Sequence, residues 1–474
     1  MSTNLSDMTD TNSAGNKEVS GAGNPTRISV PATADAGGLL DPRHPLHESG
    51  VIPRKQIAAW AFWDWGGAAF NAVITTFVFT VYLTSTPGFG DSADVTGKLG
   101  LAMGGAGLII ALLAPVTGAR SDGTGRRKLW LAVNTAVVVL MSAAMFFVEP
   151  KASLLPLGLF LVAAGTVFFE LASVNYNAML SQVSTPKTIG KVSGFGWSMG
   201  YFGGIVLLLI LYFGFIHPDV GLFGVTIENG LSIRVSMLIA AGWMAIFAIP
   251  VLVAVPELPK TDSNISKVGF FRSYVVLGRQ IGELWKSSRE TIKFLVASAI
   301  FRDGLTGVFT FGGVLAASVF GFSKGDVIIF AIAANIVAGL STVLVGRLDD
   351  RLGAKPVMLF AISGTIVAGL SVFFFHTGGS AIFWIFGLLM AVFVGPAQSA
   401  SRSFLARVIP EGREGEIFGL YATTGKAATF LAPSLFALFV FLFHSSIWGV
   451  IGIVIVLVAG LALLIPVKAR QSGK

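Results

Sequence analysis

The chain has 474 residues, of which 54% are hydrophobic and only 12% charged, with 39 phenylalanines and a mean hydropathy of +0.77. A soluble core of this size does not need so much apolar residue, so the composition speaks for segments buried in lipid. A net charge of +8 could suggest nucleic-acid binding, but its distribution follows membrane topology instead, and zero cysteines exclude disulfides, thiolate metal sites and cysteine nucleophiles.

In chain order, residues 1–55 are polar, rich in Ser, Thr, Asn, Gly and Pro, and lack the apolar core of a secretory signal. They read as a disordered cytoplasmic tail. Six apolar stretches follow near 57–83, 98–118, 129–148, 154–180, 193–216 and 232–255. Six more lie near 292–320, 325–346, 356–376, 380–409, 415–442 and 446–467. Each is close to the roughly 20 residues a helix needs to cross the hydrocarbon, where backbone groups must pair internally. They are numbered here as spans 1 to 12.

The expected organisation is an N-terminal six-helix bundle over 56–256, a cytoplasmic linker over 257–291, a C-terminal bundle over 292–467 and a cytoplasmic end over 468–474. Within the linker, Phe270, Phe271, Tyr274, Leu277, Ile281 and Leu284 recur at helical spacing against Arg272, Arg279, Glu283 and Lys286. That pattern fits an amphipathic helix on the inner leaflet. Lys and Arg concentrate in the tail, the linker, the C-terminus and alternate loops, while the other loops hold only Lys98, Lys151, Arg234 and Lys324. The positive-inside rule then puts both termini in the cytoplasm.

Two turns about half a chain apart repeat one pattern: Gly118-Ala-Arg-Ser-Asp122-Gly-Thr-Gly125-Arg126-Arg127-Lys128 and Gly346-Arg-Leu-Asp-Asp350-Arg351-Leu-Gly353-Ala-Lys355. Two further pairs match in the same order. Gly190-Lys191-Val192-Ser193-Gly194 parallels Gly415-Glu416-Ile417-Phe418-Gly419, and Phe62-Trp63-Asp64 parallels Phe301-Arg302-Asp303. Such parallel repeats mark a transporter whose site lies between two halves.

The first turn resembles the signature of the major facilitator superfamily between its second and third spans, and the second resembles the weaker copy between its eighth and ninth. Trp60-Ala-Phe-Trp-Asp64-Trp, Tyr176-Asn177-Ala178, Gly190 to Tyr201, Ser401-Arg402-Ser403 to Pro410, Phe418 to Tyr421 and Gly425-Lys426 are similar to the vacuole-effluxer-like branch. The resemblance covers spans 1 to 12. It implies an all-α membrane protein of twelve transmembrane helices in two pseudo-symmetric six-helix bundles, and a secondary transporter. Fungal members are implied to export amino acids from the vacuole. The first turn departs from the pattern at Arg120 and Gly123, the second at Ala354.

Gly118 and Gly125 permit close approach and a left-handed turn. Asp122 is placed to accept N–H groups at the start of span 11 near Gly415. Shaped by the resemblance, the expectation is a cytoplasmic gate of Gly118, Asp122, Gly125, Arg126, Arg127, Gly346, Asp350, Gly353 and Lys355, with Asp122 and Arg126 as its latch. The bland alternative is a solvated, positive turn without a gating role.

Ionisable groups inside spans are costly and usually face a cavity or a partner. Asp64, Glu170, Arg302, Asp303 and Lys426 lie within spans, three acids against two bases, so one acid is left over to carry a proton. Glu170 can serve proton coupling or a static pair with Lys426 or Arg302. Asn71, seven residues after Asp64, shares its helical face. Asp303 and Arg302, as neighbours, point apart. Asn175, Asn177, Asn335 and Gln398 can bind a solute or only join helices. The tryptophans beside Asp64 fit either a solute face or an interfacial belt, and Pro115, Pro396 and Pro433 are expected to kink their spans.

No Gly-x-x-x-x-Gly-Lys-Ser/Thr motif is present, and the five histidines lack metal-ligand spacing. The sequence therefore reads as a transporter, not an enzyme, without a cofactor or metal; a monomer is the working expectation, since the sequence does not set the oligomeric state. The expected partners are a small polar solute and protons in the plasma membrane, with amino acids first because the resemblance implies them. Drugs, sugars or other metabolites are the alternative solutes, and a non-transporting sensor is the alternative class.

Overall fold

A computed structural model describes residues 52–257, 288–409 and 413–468, with six scattered positions between 275 and 285. The expected tail, most of the amphipathic linker helix and the C-terminal end lie outside the described residues.

Twelve helices are long and apolar enough to cross a membrane. Spans 1 to 6 run over Arg54–Ser85, Asp94–Thr124, Arg127–Phe147, Ala152–Gln182, Ile189–Ile216 and Glu228–Ala254. Spans 7 to 12 run over Arg289–Ser318, Ile329–Leu352, Ala354–Phe374, Ser380–Val408, Glu414–Phe443 and Ser446–Leu464. Among the described residues there is no strand, only an isolated bridge between Val220 and Thr226 in the loop after span 5. The outward surface is apolar, with Phe160, Val253, Phe360, Val367 and Phe441 all exposed as lipid requires.

Within the first half, span 1 packs on span 6, span 2 on span 4, and span 3 on spans 4 and 6. The second half repeats this: span 7 packs on span 12, span 8 on span 10, and span 9 on spans 10 and 12. Two long seams join the halves, span 2 against span 11 and span 5 against span 8. Lipid supplies no hydrophobic drive between helices, so such seams need small residues that let backbones meet. Glycines provide them. A Cβ on Gly118 would overlap the Gly415 carbonyl, one on Gly346 would lie 2.8 Å from the Gly190 carbonyl oxygen, and one on Gly194 would lie 2.6 Å from that of Thr342.

The first seam closes one end only. Thr423 donates to the Ala111 carbonyl at 3.1 Å, and contact continues from there to Asp122. Toward the other end, positions Gly97, Gly100, Gly104, Gly105 and Gly107 have no neighbour within 4 Å of an added Cβ, and Leu101 is 79% exposed. The halves therefore meet at the end carrying the two repeated turns.

Two spans are irregular. Span 1 passes from an α-helix, Arg54–Ala68, through a π-helical stretch, Ala69–Phe77, to a short helix, Phe79–Ser85. Span 11 breaks at Thr429 and Phe430 between helices Glu414–Ala428 and Leu431–Phe443. Pro433 lies in the first turn of the second piece, where its missing N–H is harmless, so the interruption precedes the proline. Pro115 and Pro396 sit inside continuous helices.

Candidate functional site: paired latches and a charged interior

At the closed end, the Asp122 carboxylate accepts the Gly415 N–H at 3.0 Å and the Glu416 N–H at 2.9 Å, both in the first turn of span 11. Helix N-termini carry unsatisfied donors and partial positive charge, which suits a carboxylate. Arg127 holds the same carboxylate at 2.6 Å and reaches across to Glu414 at 2.7 Å. All three ionic side chains are buried, so their hydrogen bonds are needed to offset lost hydration. The expected partner Arg126 is corrected: it is exposed just before span 3, because the turn ends there and only Arg127 faces inward.

The second copy repeats the arrangement in mirror order. Asp350 accepts the Gly190 N–H at 2.7 Å and the Lys191 N–H at 2.9 Å, at the start of span 5. Arg407 of span 10 pairs with Asp350 at 3.1 Å and with the adjacent Asp349, which also accepts from Ser403. Gly125 and Gly353 hold φ of 66° and 90°, the left-handed region that lets each turn reverse. Lys355 donates to the Ile465 carbonyl beyond span 12 at 2.7 Å.

Further in, Glu170 and Lys426 form an ion pair at 2.8 Å between spans 4 and 11, each about a quarter exposed at 26% and 27%. Arg302 stacks over the Tyr421 ring at 3.8 Å. The two bases counted from the sequence are a correction: a third, Arg402, is fully buried in span 10 and pairs with Asp64 at 3.3 Å. With Glu170 and Asp64 both paired, Asp303 is the acid with no cation partner among the described residues. Its carboxylate instead accepts the Ala432 N–H at 2.6 Å, in the first turn after the break in span 11.

Asn177 joins the Asp64 cluster by accepting from Arg402 at 3.2 Å, whereas Asn175 points elsewhere and donates to its own helix at Leu171. Asn335 likewise bonds its own helix at Ala331. Asn175 Oδ1, Gln398 Oε1 and Arg302 Nε are buried without a partner among the described residues. Asn71 is exposed, and the π-helical stretch that starts at Ala69 changes the register, so the seven-residue spacing no longer stacks it on Asp64. The belt reading of the tryptophans beside Asp64 is corrected for Trp63, which is fully buried and stacked on Tyr176 at 4.4 Å, on the same ring that Trp60 stacks on at 4.6 Å.

The residues that sequence reasoning did not assign are Arg402, Tyr176, Tyr421, Asp349, Arg407 and Glu414. A signal existed for two of them: Arg402 is a charge inside an apolar run, and Asp349 adjoins Asp350. Glu414 and Tyr421 meet their partners only through folding.

Twelve spans in two duplicated halves that meet along a seam closed at one end define a major facilitator superfamily transporter. Residues 15–208 match the family described as Major Facilitator Superfamily, and residues 181–474 match the one described as Vacuole effluxer Atg22 like. The chain belongs to the Atg22-like family of that superfamily. It is similar to the Uncharacterized MFS-type transporter YxiO of Bacillus subtilis, 26% identical over 88% of this chain and 96% of that protein. It is also 26% identical to Autophagy-related protein 22 of Cryptococcus neoformans over 64% of this chain, spanning 56% of that longer protein. Among solved structures, the proton:xylose symporter XylE superposes with a TM-score of 0.70 at 15% identity, covering 89% of this chain and 97% of that one. A bacterial homologue of ferroportin in the outward-facing state superposes with a TM-score of 0.64 at 15% identity, covering 88% and 99%.

Proposed function

We propose that this transporter carries a small zwitterionic solute, an amino acid, and couples its movement to protons by alternating access. The Glu170–Lys426 pair is the observation that carries this reading. It places one anion and one cation 2.8 Å apart in the interior, each partly accessible. An amino acid can exchange both internal partners for its own groups, its ammonium facing Glu170 and its carboxylate facing Lys426 with Arg302 nearby. The exchange keeps every charge compensated inside the bilayer, where an unpaired one is costly. Once the pair opens without solute, Glu170 is an isolated acid that needs a proton to return. Asn175 and Gln398, each with an unpaired buried oxygen, add acceptors for an ammonium group.

The Lys and Arg distribution supports cytoplasmic termini, and with them a cytoplasmic position for the closed end. In that orientation Asp122 and Asp350 latch the inner gate and the structure is the outward-facing state. The halves over 56–256 and 292–467 then rock about the site, joined by the linker over 257–291. The plasma membrane is the proposed location.

Purified protein in proteoliposomes, supplied with labelled amino acids while internal pH is recorded, tests the reading. Saturable amino-acid flux with matching acidification, lost in Glu170→Gln, is expected. Flux of a sugar or drug alone would make the solute assignment wrong, flux without proton movement would remove the coupling, and no flux of any solute would favour a sensor.

A further inference from the structure

Arg402 occupies a box: among the described residues, its hydrogen-bond and ring partners come from the other half of the molecule. Its guanidinium carbon lies 5.1 Å from the Trp60 ring, 5.8 Å from Tyr176 and 5.2 Å from Trp197. Its nitrogens donate to Asp64 at 3.3 Å, to Asn177 at 3.2 Å, and to Ser193 Oγ and carbonyl oxygen at 3.0 and 2.6 Å. Span 10 supplies the arginine, while spans 1, 4 and 5 supply these partners. The walls are rigid on their own account: Trp60 donates to the Tyr176 carbonyl at 3.0 Å, and the Tyr176 hydroxyl holds Asp64 at 2.8 Å.

When the halves part at this end, Arg402 must leave with span 10. Asp64, whose side chain is part-buried, and three aromatic faces stay behind, and a carboxylate in so apolar a setting that loses its partner is disfavoured. Aromatic faces around an acid favour an organic cation, through ring quadrupoles that attract guanidinium and ammonium groups.

We propose that Asp64, Trp60, Tyr176 and Trp197 form a receptor for an organic cation, the guanidinium or ammonium of a solute, in the state opposite to this one. Arg402 is its tethered competitor: it fills the box when the end is closed and vacates it when the end opens. The amino-acid reading above enters only in naming the natural cation. Occupancy by the solute and closure by Arg402 exclude each other, so a cation arriving from the opened end holds that end open until it departs.

The test uses full-length protein in nanodiscs titrated with methylguanidinium chloride and followed by calorimetry. Gly118→Trp places a bulky ring against the Gly415 backbone and keeps the end open with Arg402 intact; Gly346→Trp does the same at the Gly190 contact and serves if the first variant does not fold. The expected result is saturable binding to the open variant at least tenfold tighter than to wild type, abolished by adding Asp64→Asn. Equal binding to wild type, binding that survives Asp64→Asn, or no binding to the folded open variants overturns the proposal. Methylguanidinium reports the box whichever solute is carried, so failure here is distinct from failure of the amino-acid flux assay.

Discussion

Asp122 in span 2 and Asp350 in span 8 do the same thing from opposite halves: each carboxylate accepts two successive backbone amides at the start of a span in the other half. The glycines beside them, Gly118 with Gly415 and Gly346 with Gly190, bring the backbones close enough for this. The two latches differ in their cations. Arg127 bridges the halves to Glu414, whereas Arg407 pairs with Asp349 and Asp350 inside the second half.

From this difference Asp122 is expected to hold the closed end more strongly than Asp350 does. Asp122→Asn removes charge-assisted bonds to two amides and to Arg127, weakening closure by about 1.5–3 kcal/mol. Proteoliposome flux is expected to fall at least tenfold in Asp122→Asn and less in Asp350→Asn. Equal losses in the two variants would contradict the ranking.

A β-branched side chain at Gly118 has nowhere to go, because its first carbon already meets the Gly415 carbonyl. Gly118→Val should abolish flux while leaving each half folded, read as near-native helicity by circular dichroism. Native flux in this variant would show that the seam does not need to close.

Glu170→Gln leaves Lys426 without its anion, and breaking a buried pair from one side costs up to about 3–5 kcal/mol, less here because both groups are partly accessible. Thermal unfolding in detergent should shift down by several degrees. Glu170→Gln combined with Lys426→Met should recover most of that stability and none of the flux. Recovery of flux as well would assign the pair a purely structural role.

Asp303 caps the second piece of span 11 from span 7, so Asp303→Ala should cost about 1–3 kcal/mol for an orphaned amide. Asp303→Asn, which keeps an acceptor, should lose less. Hydrogen exchange at Ala432 is the direct measure: protection falls in the alanine variant if the bond is as described, and is unchanged if it is not.

Much of the fold was legible because hydropathy and repeats are properties of local sequence. The twelve apolar runs and the equivalence of Gly118–Asp122 with Gly346–Asp350 need no knowledge of packing. The interior was less legible. Arg127 and Arg126 are adjacent, and only the angle at which span 3 leaves the turn decides which faces Asp122. Arg402 stood only within a motif, and its role emerges where residues of spans 1, 4 and 5 meet it. The π-helical stretch at Ala69 displaced Asn71 because simple periodicity assumes a uniform helix. Asp303 found its partner at a break in another span, which no spacing rule along span 7 could reveal.

The absence of cysteine makes the most direct measurement simple. Lys187→Cys and Arg351→Cys place spin labels on exposed positions of opposite halves at the closed end, and electron–electron resonance in nanodiscs reads the distance between them. The account predicts one short distance with both latches intact and a second, longer population when Asp122→Asn and Asp350→Asn are combined. An unchanged distance distribution in a double variant that no longer transports would contradict the latch.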